Sequence, residues 1–345
     1  MTHPIELGLD TFGDITVRDG KPNSHAQVLR DLVEEAKLAD VSGVDFLGLG
    51  EHHRADYAVS AIEPILGAIA AQTTRLRFGS AVTVLSSDDP IRLFQRFATL
   101  AALSDNRAEI ILGRGSFTES FPLFGFDLSD YEKLFEEKLD LFAKLLASDT
   151  VSWSGSIRPP LKKQGIWPQP EKPLRTWIGV GGSPDSVVRA ATFNMPMLMA
   201  IIGGNPARFR PYAQLYREAH ESMDQAVLPI GVHSMGHVAM SDKEAQERYF
   251  APYCEMHDLI GKQRGWPRQT RAQFDQEIAH GSLYVGSPTT VATKIAATLK
   301  VLGASRFQLK YSAGPMEVDH ILDHIKLYGE EVIPRVREMM AKQDA

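Results

Sequence analysis

"RLRFGSAVTVLSSDDPIRLFQRFATLAALSDNRAEIILGRG", Arg75 to Gly115, reads as strand, helix and strand within one unit. "RLRFGSAVTVL" is a short apolar run of the kind that forms a buried strand. Asp89 then stands as N-cap and Pro90 takes the first helical position, where a missing N–H removes no hydrogen bond. "RAEIILGRG", from Arg107, begins the next apolar run. One such unit fits many folds, so the number of repeats decides the architecture.

The unit repeats in both directions. Upstream, "IELGLD" (Ile5 to Asp10) precedes an amphipathic segment whose Val28, Leu32, Val33, Ala36 and Ala39 recur at helical spacing and stop at Gly43. "VDFLGLG" follows, then a helix over about 61–72. Downstream, a long helix is expected near Tyr131 to Ala147, and the rhythm resumes with "RTWIGVGG", "MPMLMAIIGG", "LPIGVHSMGHVAM" from Leu228 and "SRFQLKYSAG" from Ser305, with helical segments between them. Eight strands alternating with at least eight helices, with no extended linker, predict a single (β/α)8 TIM barrel over residues 1–345; two doubly wound domains are the alternative. Two stretches interrupt the rhythm: an irregular insertion at about 150–174, rich in Pro, Gly and Trp, and a polar stretch at about 261–285.

A net charge of −6 without a basic run argues against a nucleic-acid partner and for a small molecule. No apolar run approaches the roughly 20 residues that span a bilayer, and no secretory signal is visible, so neither membrane nor export is expected. The single cysteine, Cys254, rules out an intrachain disulfide and a Cys-based zinc cage, which fits a cytoplasmic location.

In a barrel, chemistry belongs at the C-terminal ends of the strands. "GLGEHHRADY", Gly48 to Tyr57, lies at such an end, as do Asp10, Thr83 and Arg114. Adjacent residues of an extended chain point to opposite sides, so only one of His52 and His53 can face the mouth. A metal centre would need further convergent ligands, and although Asp10, His233 and His237 are available, the spacing is no recognised ligand motif. A strand-end histidine that only satisfies a neighbouring loop fits the spacing equally well. "GVGGSPDSVVRAA", from Gly179, combines a glycine turn with a helix start capped by Ser183, a plausible cradle for a phosphate. "VGSPTTVATKI" nearly copies it, so either can be no more than a cap. Arg114, between two glycines, could reach the same anion or form a surface ion pair. The small residues of "SAVTVL" admit a flat ring near the backbone or simply fill a core.

Taken together and in order, "GVDFLGLGEHH", the opening stretch, "FPLFGFDLSDYEKLFEEKL", "GVGGSPDSVVRAA", "PMLMAIIGGN" and "VGSPTTVATKI" resemble the bacterial luciferase-like flavin-dependent monooxygenases over nearly the whole chain. The resemblance implies a (β/α)8 barrel, usually a homodimer, with reduced FMN at the C-terminal face. It further implies oxygen activation as a C4a-peroxyflavin that oxygenates a small organic substrate, with electrons from a separate flavin reductase. The family's catalytic histidine falls on His52, as acid/base or hydrogen-bonding group with a useful pKa near neutrality. Its non-prolyl cis peptide under the flavin falls on Ala81 and Val82, its phosphate arginine on Arg114, and its phosphate-binding helix start on Gly182, Ser183 and Ser186. A second basic phosphate contact of some members falls on Glu132, a departure that another residue must offset. The family's lid falls on 261–285, where Trp266 and four cations would form a gate or a plain surface loop. The same barrel family includes oxidoreductases of the deazaflavin F420, which is the alternative cofactor. A metal-dependent barrel hydrolase and a flavin-binding protein without turnover are two further functions compatible with the sequence.

Overall fold

Eight parallel strands close on themselves in a computed structural model that describes residues 3–115 and 117–342. They are β1 (Glu6–Thr11), β2 (Phe46–Leu49), β3 (Arg77–Ser80), β4 (Ala108–Gly113), β5 (Arg175–Val180), β6 (Met197–Ala200), β7 (Ile230–Val238) and β8 (Arg306–Lys310). Each pairs with the next, and β8 returns to β1 with Glu6 opposite Arg306 and Asp10 opposite Lys310. That last pairing excludes the doubly wound alternative, because an open sheet leaves its outer strands unpaired. The fold is the (β/α)8 barrel, and all eight expected strands take part in it.

The helices begin where the sequence places their caps. The Asp89 carboxylate accepts from the N–H groups of Ile91 and Arg92, with Pro90 opening the helix Pro90–Leu103. Helix His25–Ser42 is capped by Ser24 and ends on Gly43 at φ 93°, a left-handed conformation that favours glycine. Its Val28, Leu32, Ala36 and Ala39 are buried against the barrel.

The barrel interior is layered. At the N-terminal end of the strands the buried Glu109 carboxylate meets Arg77, Arg175 at 3.0 Å and Arg306 at 2.6 Å. Above this plug the Arg306 guanidinium lies 4.1 Å from the Phe46 ring centroid and 4.7 Å from that of Trp177. Phe46, Ile111, Trp177 and Leu198 form an apolar layer there, which seals the barrel from below. Whatever binds must therefore enter at the C-terminal end.

The two interruptions have structure of their own. Within 150–174, Thr150–Trp153 pairs antiparallel with Leu161–Gly165, and Val151 and Trp153 alternate inward. Within 261–285, helix Asp242–Arg264 ends at Gly265, helix Arg271–His280 begins with a Thr270/Gln273 capping box, and a further parallel strand, Leu283–Gly286, pairs with the outer half of β7. The Lys294 ammonium pins this segment by donating to the carbonyls of Glu277, Ile278 and Leu283.

A histidine pair behind β7 makes a testable demand. His237 and His324 are fully buried and stacked at 5.2 Å, and burial holds His324 down to about 3 and lowers His237 strongly. Both are neutral in the folded chain and protonated below about 6.5 in the unfolded one, so stability falls as pH drops from 6.5 toward 3. Each group contributes a slope of about 1.4 kcal/mol per pH unit. His237→Phe should move the acid-unfolding midpoint, read by circular dichroism, to lower pH; an unchanged midpoint would show that His237 is not buried and neutral.

Candidate functional site

A cavity of about 1030 Å³ opens at the C-terminal ends of the strands. Its wall divides by residue type. Gly50, Ala81, Gly113, Gly179 and Ala200 form one side, a low shelf almost free of side chains, whereas His233, Gln308 and Lys310 bring polar groups to the other. The Ala81-Val82 peptide bond is cis, at the position expected from the sequence. Val82 packs over the shelf, where a Cβ on Gly113 would come within 2.5 Å of its side chain. Glycine at 113 is thus required by the close approach of Val82.

His52 lines this cavity. Its ring stacks on Tyr57 at 4.7 Å and meets the edges of Phe12 at 4.5 Å and Phe117 at 4.7 Å. Burial among these rings, helped by the Lys310 charge, lowers its pKa to about 3. The expected titration near neutrality is therefore corrected: His52 is a neutral imidazole throughout the physiological range, suited to hydrogen bonding rather than to storing a proton. His53 lines the same cavity, so the expectation that only one of the pair faces the mouth is corrected: both histidines lie in irregular chain beyond the strand, where strict alternation does not hold. The His53 Nε2 pairs with Glu51 Oε1 at 2.8 Å, and the other Glu51 oxygen accepts from the Val84 N–H at 3.1 Å. Glu51 and His53 thereby brace the short strand Thr83–Val84 that follows the cis bond. Among the described residues no group of three His, Cys, Asp or Glu side chains converges on a point that could hold a metal ion.

The helix start expected to hold a phosphate stands at one end of the cavity, beside Gly181. Ser183 caps helix Pro184–Thr192, its Oγ accepting from the Ser186 N–H at 3.3 Å, and Gly182 holds φ at 91°. Beside Gly181 a Cβ would meet only open space, so a ligand can approach the backbone there. Arg114 pairs with Glu132, and the same carboxylate reaches Arg189 at 3.4 Å. Arg189, absent from the expected set, brings a second cation to this end. It lies one turn beyond Ser186 on the same helix, and that i,i+3 spacing was the signal available in the sequence. The related copy at Ser287 caps helix Pro288–Leu302; neither it nor Gly182, Ser183 and Ser186 line the cavity, which the first copy reaches only through Gly179, Val180 and Gly181.

From the rim, Tyr253, Met256, His257, Trp266 and Gln273 lean over the mouth. Phe117 lies between two guanidiniums there, with Arg54 5.2 Å and Arg264 4.8 Å from its ring centroid, and Arg54 donates to Gln263 at 2.6 Å.

The family model described as luciferase-like monooxygenase matches residues 11–306. The chain belongs to this family. Among solved structures, monooxygenase RslO1 from Streptomyces bottropensis superposes with a TM-score of 0.82 at 20% identity, covering 96% of this chain and 99% of that one. The oxygenating constituent of 3,6-diketocamphane monooxygenase from Pseudomonas putida, a type II Baeyer–Villiger enzyme solved with FMN, superposes with a TM-score of 0.75 at 19% identity over 97% and 99% of the two chains. An F420-dependent glucose-6-phosphate dehydrogenase from Amycolatopsis mediterranei is 29% identical over 44% of this chain and 48% of its own length. The luciferase-like family thus contains flavin monooxygenases and deazaflavin oxidoreductases on one barrel. Among the described residues no helix is long and apolar enough to cross a membrane.

Proposed function

We propose that the protein is a monooxygenase that uses reduced FMN and O2 to oxygenate a small organic substrate, drawing electrons from a separate flavin reductase and working as a homodimer in the cytoplasm. The observation that carries this reading is the side of the cavity lined by Gly50, Ala81, Gly113, Gly179 and Ala200, which shares one cavity with a neutral His52. A planar tricyclic ring would lie against Val82, which packs so closely on Gly113 and Gly179 that a Cβ there would come within 2.5 and 3.3 Å of it. Reduced flavin, when bound, supplies the electrons for oxygen activation. The chain's own part is orientation, dryness and hydrogen bonding. Ala81, Val82 and the shelf would hold the ring, while Gly182, Ser183, Ser186 and Arg114 would hold its phosphate. His52 would donate or accept one hydrogen bond beside the reacting atoms, without a charge that attracts water. The segment 261–285 would roof the mouth and exclude solvent.

Mixing the protein with reduced FMN and then O2 should delay the return of oxidised-flavin absorbance relative to free reduced FMN; return at the free rate would sink the reading. F420 is the second reading, supported by the Amycolatopsis relative. Anaerobic titration with reduced FMN and reduced F420 separates the two.

Glu132 gives a prediction about the phosphate. Its carboxylate competes with a phosphate for Arg114 and Arg189, but it is more than half exposed, so the effect is small. Glu132→Gln should tighten FMN binding by about 1 kcal/mol, roughly fivefold, and leave riboflavin binding unchanged. Fluorescence titration with both ligands checks it; equal changes for both would place the phosphate elsewhere.

A further inference from the structure

The polar side of the cavity holds a histidine quite unlike His52. His233, on β7, lines the cavity and keeps 12% of its side-chain surface, and its Nδ1 lies 2.8 Å from Asp10 Oδ2 on β1. Asp10 is fully buried, and its Oδ1 has no hydrogen-bond partner among the described residues. The Asp10 carboxylate thus takes its side-chain hydrogen bond from His233, which fixes the proton on Nδ1 and leaves the Nε2 lone pair for a ligand. A neighbouring group offers a hydrogen bond to an oxygen of that ligand. Gln308 stands opposite His233 in the sheet, and with its amide oxygen turned to accept from Arg306 Nη2 and Nε at 2.7 and 3.1 Å, its NH2 is left as a donor. The Lys310 ammonium on the same side is balanced by its pairing with Asp14 at 2.9 Å and donates also to Ser312, so it adds no net charge. Phe12, Leu198 and Met235 supply apolar wall around these groups.

We propose that His233, oriented by Asp10, is a second proton-accepting group of the cavity, and that it serves a substrate with an apolar ring bearing an acidic O–H, a phenol or enol. The O–H bond breaks, its electron pair stays on the oxygen, and the proton joins Nε2. The resulting imidazolium is held by the Asp10 carboxylate, while the anionic oxygen accepts from the Gln308 NH2 beside that imidazolium. The proton returns to solvent when the product leaves. An ionised phenol or enol is electron-rich at carbon, which suits it to oxygenation. The proposal rests on the reading of this cavity as the catalytic one. His233 is the base, and Asp10 is a positioning residue.

The test uses 4-nitrophenol, whose ionised form has its own visible absorption band. At a pH where the free probe is mostly neutral, the bound probe should show the ionised band, and His233→Gln should lose the band while still binding the probe. Binding as neutral phenol, or failure of the wild-type chain to bind the probe, overturns the proposal. Because Asp10→Asn can unfold the barrel, the positioning role is read in the wild-type chain by 15N NMR of its histidines. His233 should carry its proton on Nδ1, and a proton on Nε2 overturns the role given to Asp10. Neither measurement uses flavin or oxygen, so a chain that fails to bind flavin leaves both readable.

Discussion

Glu109→Gln should lower stability by about 3 to 5 kcal/mol, the cost of leaving buried cations without their counter-charge. Glu109 is wholly buried and meets Arg77, Arg175 and Arg306, of which Arg306 is itself only 1% exposed. These three guanidiniums hold its carboxyl at about 2 against the desolvation that would raise it. Its ordinary value is 4.5, so the stabilisation is complete above that pH and is lost as the pH falls toward 2. Thermal unfolding at neutral pH measures the loss. The double variant Glu109→Leu with Arg306→Met should be closer to wild type than Glu109→Gln alone, because it removes both the charge and its strongest buried partner. A Glu109→Gln melt that matches wild type would show that the plug is solvated and not sealed under Phe46 and Trp177.

His52→Ala should lower oxygenation about 100-fold while sparing flavin binding, as expected for a group that touches the reacting atoms but not the shelf or the phosphate. His53→Ala should act differently. It releases Glu51, the partner of the Val84 N–H, so weaker flavin binding should accompany any loss of rate. Steady-state rates and flavin titrations on both variants decide; equal rate loss in His53→Ala alone would reverse the choice between the neighbours. His52 also makes a demand on pH. With its pKa lowered to about 3, it contributes no inflection to the rate profile between pH 5 and 8. An inflection near 6.5 that disappears in His52→Ala would show that the ring is hydrated during turnover.

The barrel was legible because its signals are local. Asp89 before Pro90, Ser24 before an amphipathic run and Gly43 at its end each mark an element through the chemistry of one or two residues. Strand geometry did not separate His52 from His53, because both line the cavity from irregular chain beyond the strand, and the family resemblance alone made the choice. The environment of His52 was not legible, since Phe12, Tyr57 and Phe117 come from separate parts of the chain. Its lowered pKa depends on that packing and on Lys310, more than 250 residues away. Arg189 and the Asp10–His233 pair were missed for the same reason: their importance lies in partners brought together by closure of the barrel. The strand Leu283–Gly286 hid in a polar stretch because only four residues of it pair.

The tie between Lys294 and the carbonyls of Glu277, Ile278 and Leu283 has a thermodynamic consequence. A segment already folded beside the mouth before any ligand arrives has little chain entropy left to lose on binding. Calorimetry should accordingly find a modest negative heat-capacity change, set by the apolar surface covered in the cavity, and none of the large entropic penalty that accompanies coupled folding. Affinity in this barrel is then governed by the fit of the ligand to a preformed space.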